Sequence, residues 1–501
     1  MKENKELSKR AVYFMLLIVL LFFMPGPVQP KQLTILYTND LHAQYLPRKS
    51  GDGTIGGMEA LYDLVQRERN GNTLLLDAGD HETGTLLSRL PVDGVLGGGM
   101  IEMMNLIGFD ATAIGNHEFD NGWENLWRLE ALAAFHMLSA NLFQNDRLFL
   151  KEGSHIFTMN GLKIGVVGLS SADLYRLVFP PSLDDIRIKS VIRTARKTVH
   201  ELDPLTDLIV LLAHQGFRED SLLAEKVSGV DVIIGGHSHT IIRHPILING
   251  VLVVQAGSRS EYLGRLDLDV ENDMIKSFSG QLIPVRNDTA TRDSKMAGLV
   301  NTYRRRIDKQ YGQIIGELKI PWKTSRERES NIGNYFADVM RLTAKADFAV
   351  INSGGLRKDL PAGPLRKMDI LEVFPFSNRL VRFSCSGRQL LKLIKTNSRA
   401  SVTKGREILQ VSGLKYAARM TPKKAVTILN AEVDGKPIQK NRTYTGVTVD
   451  YVVPYNALMY FGFKPDEFKE LDLQLSDVMI EFTGKNPNVS SRVEGRMRHE
   501  R

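Results

Sequence analysis

Apolar residues fall into two alternating patterns between Leu33 and Ser238. The first is a short unbroken run ending in polar residues: LTILYT, NTLLLDAG, ATAIGNHE, KIGVVGLS, DLIVLLAH and DVIIGGHS. Runs of this length and composition predict buried strands. The second pattern, apolar at helical spacing, appears in MEALYDLVQRER, MIEMMNLIG and ENLWRLEALAAF, whose Met and Trp residues are read as core packing. The alternation predicts an α/β domain with helices covering a largely buried sheet, and in such domains chemistry collects beyond the strand ends. A basic stretch, AGLVNTYRRRIDKQYGQIIGEL, then reads as a connecting helix with Arg304, Arg305 and Arg306 on its solvated face. The remainder mixes a helix (NIGNYFADVMRLTAK), strands (DFAVINSG, RLVRFSCSG) and turns, without internal repeats.

Composition narrows the class. A length of 501 residues suits two domains, and 43% hydrophobic with 24% charged residues excludes a disordered, collagenous or multi-spanning membrane protein. The single cysteine, Cys385, forbids an intramolecular disulfide and thiolate-rich metal sites, so any metal must use His, Asp, Asn or Glu. Cys385 itself reads as a small core residue. Net charge is +8, of which +2 falls in the first ten residues; the excess suits an anionic substrate without demanding a nucleic acid polymer. That basic start leads into an apolar run, Ala11 to Met24, followed by PGPVQP. The plan is that of a secretory signal, and the run is short for a membrane span. Export to the periplasm or the cell exterior is therefore expected, with an uncleaved tether as the alternative.

Five strand-end motifs carry candidate chemistry: Asp40 and His42 in TNDLH, Asp80 in AGDHE, Asn116 and His117 in GNHEFD, His214 in LLAHQG, and His237 with His239 in GGHSH. Any one of them alone would be an ordinary cap. All five in an α/β fold can converge on one edge, and together they supply oxygen and imidazole donors plus a carboxylate for two divalent cations. Alternation along a strand lets D-x-H and H-x-H aim both residues at one face.

In this order the motifs resemble the metallophosphoesterases of the 5′-nucleotidase and UDP-sugar hydrolase family. The resemblance implies a four-layer α/β/β/α catalytic domain followed by a smaller α+β C-terminal domain. With the basic-then-apolar start and the connecting helix read from the residues, the chain divides into a signal peptide or N-terminal anchor over 1–30, a catalytic domain over 31–293, a linker helix over 294–315 and a substrate-binding domain over 316–501. By the same resemblance Asp40, His42 and His239 hold one metal, Asn116, His214 and His237 the other, and Asp80 bridges them, while Asp77 and His81 are decoys. His117 and Asp120 would form the catalytic dyad, the carboxylate holding the imidazole tautomer. The resemblance thus implies two divalent ions, drawn from Zn, Mn, Mg or Ca.

In the second domain Arg326, Asn352 and Arg357 match residues that hold nucleotide in the family. Phe376 matches one wall of an aromatic base clamp, and Tyr451 is the candidate for the other. After Tyr451 the family's N-G-G-D-G segment is replaced by VPYNALMY, which lacks its ribose-binding Asp. The expected function is hydrolysis of a small phosphorylated substrate, a nucleotide or nucleotide derivative, by 5′-nucleotidase, UDP-sugar hydrolase or cyclic-nucleotide phosphodiesterase action. Two alternatives remain: a related hydrolase of a sulfur-linked substrate on a carrier protein, and a non-catalytic nucleotide-binding protein.

Overall fold

The first apolar runs become the centres of two sheets. In chain order the first domain runs β1 (Lys31–Thr38), α1 (Met58–Glu68), β2 (Thr73–Asp77), α2 (Gly98–Ile107), β3 (Ala111–Ala113), α3 (Trp123–Leu132), β4 (His136–Leu138), β5 (Ser154–Met159) and β6 (Leu162–Ser170). It continues through α4 (Val191–Leu202), β7 (Leu208–His214), α5 (Phe217–Lys226), β8 (Val232–Gly235), β9 (Ile246–Ile248), β10 (Val251–Val254), β11 (Tyr262–Glu271), β12 (Met274–Pro284) and α6 (Lys295–Tyr311). This computed structural model describes residues 30–51, 53–287, 294–403, 405–421 and 425–500. The basic and apolar leader lies outside the described residues. Among the described residues, no helix is long and apolar enough to cross a membrane.

The sheets have the strand orders β12-β11-β1-β2-β3-β4 and β5-β6-β7-β8-β10-β9. Strands β1 to β4 pair in parallel, as do β6, β7, β8 and β10. Side-chain alternation then sorts the residues. Ile35 and Tyr37 of β1 meet Ile164 and Val166 of β6 in a core between the sheets. Leu36 and Leu75 face the opposite way, sharing a core with residues of α1, α2 and α3. On the far side, Leu169 and Leu211 pack with residues of α4 and α5. The layers are α/β/β/α. The run pattern alone suggested a single buried sheet, because an inner face covered by a second sheet reads as apolar as one covered by helices.

Ser294 caps α6, its hydroxyl accepting from the Ala297 amide at 3.0 Å. The helix ends at Tyr311, shorter than the stretch 294–315. Its Met296, Val300, Tyr303 and Ile307 belong to the first domain's core, so the helix is part of that domain's outer layer. Arg304, Arg305 and Arg306 are exposed.

The second domain contains α7 (Asn331–Ala344), β13 (Phe348–Asn352), β14 (Arg379–Ser386), α8 (Gly387–Ala400), β15 (Leu409–Ser412), β16 (Thr443–Val449), β17 (Phe468–Gln474) and α9 (Leu475–Lys485). Its five-stranded sheet, ordered β15-β13-β16-β14-β17, is mostly antiparallel. A reciprocal Ser386–Gln389 capping box starts α8 directly from β14. Cys385, at the end of β14, is buried in this core, and burial pushes its thiol up to about 12. That environment suits packing, not nucleophilic chemistry.

Candidate active site

The strand-end residues converge. Asp40 and His42 follow β1, Asp80 follows β2, Asn116 and His117 follow β3, His214 ends β7, and His237 and His239 follow β8. All emerge at carboxyl ends of parallel strands, three from one sheet and two from the other. Donor atoms of Asp40, His42 and His239 lie within 4.8 Å of one another, as do those of Asp80, His214 and His237. Asn116 lines the same cavity as Asp80 and His237.

The loops that achieve this are strained. Asp40, His42, Asp80, His237 and His239 all adopt left-handed backbone conformations, with φ of 51°, 49°, 57°, 73° and 53°. A non-glycine residue held there costs on the order of 1–3 kcal/mol, and such strain gathers where geometry serves function. Buried hydrogen bonds hold it. The His42 amide donates to the Asp80 carbonyl and the Asp40 amide to the Gly79 carbonyl, both at 2.9 Å. The His237 amide donates to the Asp40 carboxylate at 3.0 Å.

Tautomers follow from these loops. His214 Nδ1 lies 2.8 Å from the Ala78 carbonyl, which can only accept, so Nδ1 carries the proton and Nε2 turns its lone pair toward Asp80 Oδ2 at 3.1 Å. His42 is arranged alike: Nδ1 faces the Thr83 carbonyl at 3.0 Å, and Nε2 faces His239 Nε2 at 3.0 Å and Asp40 Oδ1 at 3.9 Å. Lone pairs facing lone pairs repel unless a positive charge sits between them. Neither His214 Nε2 nor a further buried acceptor, Asn116 Oδ1, has a hydrogen-bond partner. The donor set therefore fits a pair of divalent cations, which would satisfy these groups together.

The electrostatics show how strongly a positive charge is wanted there: burial acts to lower His214, but the Asp80 and Asp40 carboxylates outweigh it and raise the ring to about 10, so a proton on Nε2 answers Asp80 wherever a metal ion does not. Burial acts to raise the Asp80 carboxyl, yet the charges of His214 and His117 outweigh it and hold it well below the usual carboxylate range. Asp40 is likewise lowered against its burial, by His239 and His214. Burial, helped by the charge of His117, depresses His42 to about 3, so its imidazole stays a neutral donor.

His117 is arranged differently. Its Nδ1 meets Asp120 Oδ2 at 2.6 Å, its backbone amide donates to Asp80 Oδ1 at 2.8 Å, and the residue lines the cavity. Burial acts to lower its pKa, but the carboxylates of Asp120 and Asp80 outweigh this and raise it to about 9. A cationic imidazole oriented by a carboxylate suits proton donation or stabilisation of developing negative charge.

Several supporting residues escaped the sequence reading. Buried Glu118 accepts from the amides of Gly115 at 2.7 Å, Asp80 at 3.0 Å and Glu82 at 3.1 Å, clamping the β2 and β3 loops together. Asn39 donates to Asp40 Oδ2 at 2.6 Å and accepts from the Ala256 amide. Gln255 accepts from the Thr240 amide and Ser238 hydroxyl, fixing the GHSH turn. Asp77 is structural: its carboxylate accepts from the Thr38 and Thr112 hydroxyls, tying three strand ends. His81 is fully buried, 3.4 Å from Glu118, and is absent from the donor groups around Asp40 and Asp80.

A cavity of about 730 Å³ joins this cluster to the second domain. Arg326, Asn352, Arg357, Phe376 and Tyr451 all line it. Gly354 and Gly355 follow β13 where space is closed: a Cβ on Gly355 would stand 2.9 Å from the Phe374 ring, and one on Gly354 would clash with the Glu407 carboxylate. Phe376 stands edge-on to Phe374 with ring centroids 5.6 Å apart, which fixes its orientation. Three second-domain carboxylates not foreseen from the sequence also reach the cavity: Glu372, which pairs with Lys358, Glu407 and Asp450. Asp450 is occupied by the Asn378 side chain at 2.6 Å and the Arg379 amide at 3.1 Å, and Glu407 accepts from the Tyr460 hydroxyl.

Comparison with known proteins agrees with this layout. Residues 33–240 match the calcineurin-like phosphoesterase family model, and residues 309–458 match that of the 5′-nucleotidase C-terminal domain. The chain is 30% identical over 471 residues to a 5′-nucleotidase of Vibrio cholerae, covering 82% of this chain and 83% of the relative. It is 29% identical over 478 residues to protein UshA of Yersinia enterocolitica, covering 84% of each. A solved 5′-nucleotidase precursor from Thermus thermophilus superposes with a TM-score of 0.80 at 28% identity, over 93% of this chain and 99% of that one. A phosphoesterase domain with clustered metal-donor residues precedes a nucleotidase-type domain along nearly the whole matched length, and the chain belongs to the 5′-nucleotidase family of calcineurin-like metallophosphoesterases, metal-dependent hydrolases of phosphoric esters.

Proposed function

We propose that this protein hydrolyses nucleotides or nucleotide derivatives at the mouth of the two sheets. The observation that carries this reading is the shared cavity, where the strand-end donors face two arginines and two aromatic rings from the other domain. Asp40, His42 and His239 would hold one cation and Asn116, His214 and His237 the other, with the Asp80 carboxylate available to both. Four imidazoles in the set favour Zn²⁺ over Mg²⁺ or Ca²⁺, and the oxygen donors leave Mn²⁺ admissible. When bound, such a pair acidifies coordinated water and neutralises phosphate oxygens.

The chain's own residues do the rest. His117, kept cationic and oriented by Asp120, donates to the phosphoryl or leaving oxygen. Arg326 and Arg357 bind anionic oxygens, and burial together with the charge of Arg326 lowers Arg357, a cation that an incoming phosphate would relieve. Phe376 and Tyr451 stack on the base, and Glu407 offers an acceptor to the sugar. Residues 31–293 thus carry the chemistry and 316–501 the recognition, with helix α6, packed on the first domain, leading from one to the other. The leader at residues 1–30, basic and then apolar, supports export.

A substrate panel tests the reading. Protein reconstituted with Mn²⁺ or Zn²⁺ should show higher kcat/KM for nucleoside monophosphates, nucleotide sugars or cyclic nucleotides than for a generic chromogenic ester. Equal kcat/KM across the panel would show that the second domain does not recognise a nucleoside.

A further inference from the structure

At the other end of β3 and β4 lies a group of side chains that phosphoester hydrolysis does not use. His136, the first residue of β4, pairs with Ala111, the first residue of β3, so it stands at the strand end opposite to the one leading into Asn116. His155 is on β5, the edge strand of the other sheet, as β4 is of the first. Between them comes Glu152, whose backbone bridges to Leu138 and accepts from the Ser139 amide. The Nδ1 atoms of both histidines lie 3.0 Å from the same oxygen, Glu152 Oε2. Their rings stack with centroids 3.6 Å apart and planes 27° apart, and the Phe157 ring abuts both.

We propose that His136, Glu152 and His155 form a third cation site, taking Zn²⁺ or a similar late first-row divalent ion that clasps the free edges of the two sheets. As hydrogen bonds alone the arrangement is poor: two parallel N–H dipoles converge side by side on one oxygen, and protonating both rings would stack like charges face to face. A cation at the focus is attracted by all three donors at once. Each nitrogen is 3.0 Å from the carboxylate oxygen and all three donors lie within 4.8 Å of one another, a spacing from which they can close on one ion at the bond lengths of about 2.0–2.2 Å that zinc forms with imidazole and carboxylate. The side chains are 35%, 40% and 32% exposed, which leaves room for water to complete the coordination. Glu152 is fixed to the β4 edge and His155 sits on β5, so an ion here joins the layers at an edge where β4 and β5 each have only one strand neighbour. Its role is structural, remote from the hydrolytic cavity.

Metal counting decides the matter. Full-length protein is stripped with a chelator and dialysed against Zn²⁺ alone, and bound metal is measured per chain. His155→Ala should bind one equivalent fewer than the wild type, keep its kcat on a phosphoester, and show a smaller Zn²⁺-dependent rise in Tm. Glu152→Gln, which preserves shape and can still accept a hydrogen bond, should lose the same equivalent; it decides the question if His155→Ala does not fold. The readout is a difference, so it holds whatever the strand-end cluster binds. Equal stoichiometry in the wild type and the folded variants would overturn the third site.

Discussion

The two walls of the cavity are built on different terms. On the first-domain side, Asp40, Asp80 and His214 are essentially buried, left-handed backbones recur, and amides, carbonyls and carboxylates lock each loop to its neighbour. On the second-domain side Arg326 is exposed, Phe376 and Tyr451 are half-buried, and few contacts fix the side chains beyond Phe374 and Tyr460. Under the proposed function the contrast separates two jobs. Charge chemistry on a phosphoryl group demands donors fixed within fractions of an ångström, since preorganised dipoles act without reorganising. Recognition of a flat base tolerates a softer wall, because stacking depends on area more than on register.

Breaking the rigid wall should cost most. Asp80→Ala removes the shared carboxylate and the acceptor for the His117 amide, so both ions loosen and activity falls by several orders of magnitude while circular dichroism stays native. Near wild-type turnover with two bound metals would refute the bridging role. His117→Asn should keep metal content and lower kcat by roughly 10²–10⁴, measured at saturating substrate; loss of metal instead would make His117 a ligand. Glu118→Gln should cost about 10–100-fold, as outer-shell changes at metal sites do. Its carboxylate accepts amides on both oxygens, and an NH₂ group must face at least one of those donors, which reduces metal affinity measured by competition with a chelator.

The soft wall should yield a smaller and more selective effect. Phe376→Ala removes one stacking surface, worth about 1–3 kcal/mol, so KM for nucleotides should rise while kinetics on a generic ester stay unchanged. Equal effects on both substrates would mean that Phe376 serves folding and not recognition. Glu407→Gln sharpens the point: if its carboxylate meets sugar hydroxyls, the ratio of kcat/KM for ribo- over deoxyribonucleotides should fall toward one.

The rigid wall was also the more legible one. Its donors end apolar strands, and the chain rule that parallel strands present their carboxyl ends together brings TNDLH, AGDHE, GNHEFD, LLAHQG and GGHSH to one place. Glu118 was not legible, because an acid beside a histidine looks the same whether it points to solvent or accepts three buried amides. Glu407 and Asp450 approach the cavity from segments that no spacing connects to Arg326 or Phe376. The pairing of His136 with His155 depends on β4 and β5 being edges of two different sheets, and the apolar runs could not distinguish two stacked sheets from one.

Anomalous diffraction from crystals of the full chain soaked with Mn²⁺ or Zn²⁺ tests the central claim most directly. The expected map holds two peaks about 3.5–4 Å apart at the strand ends, one against Asp40, His42 and His239, the other against Asn116, His214 and His237, with Asp80 touching both. A single peak there, or a pair that leaves Asp80 unligated, would contradict the dinuclear centre.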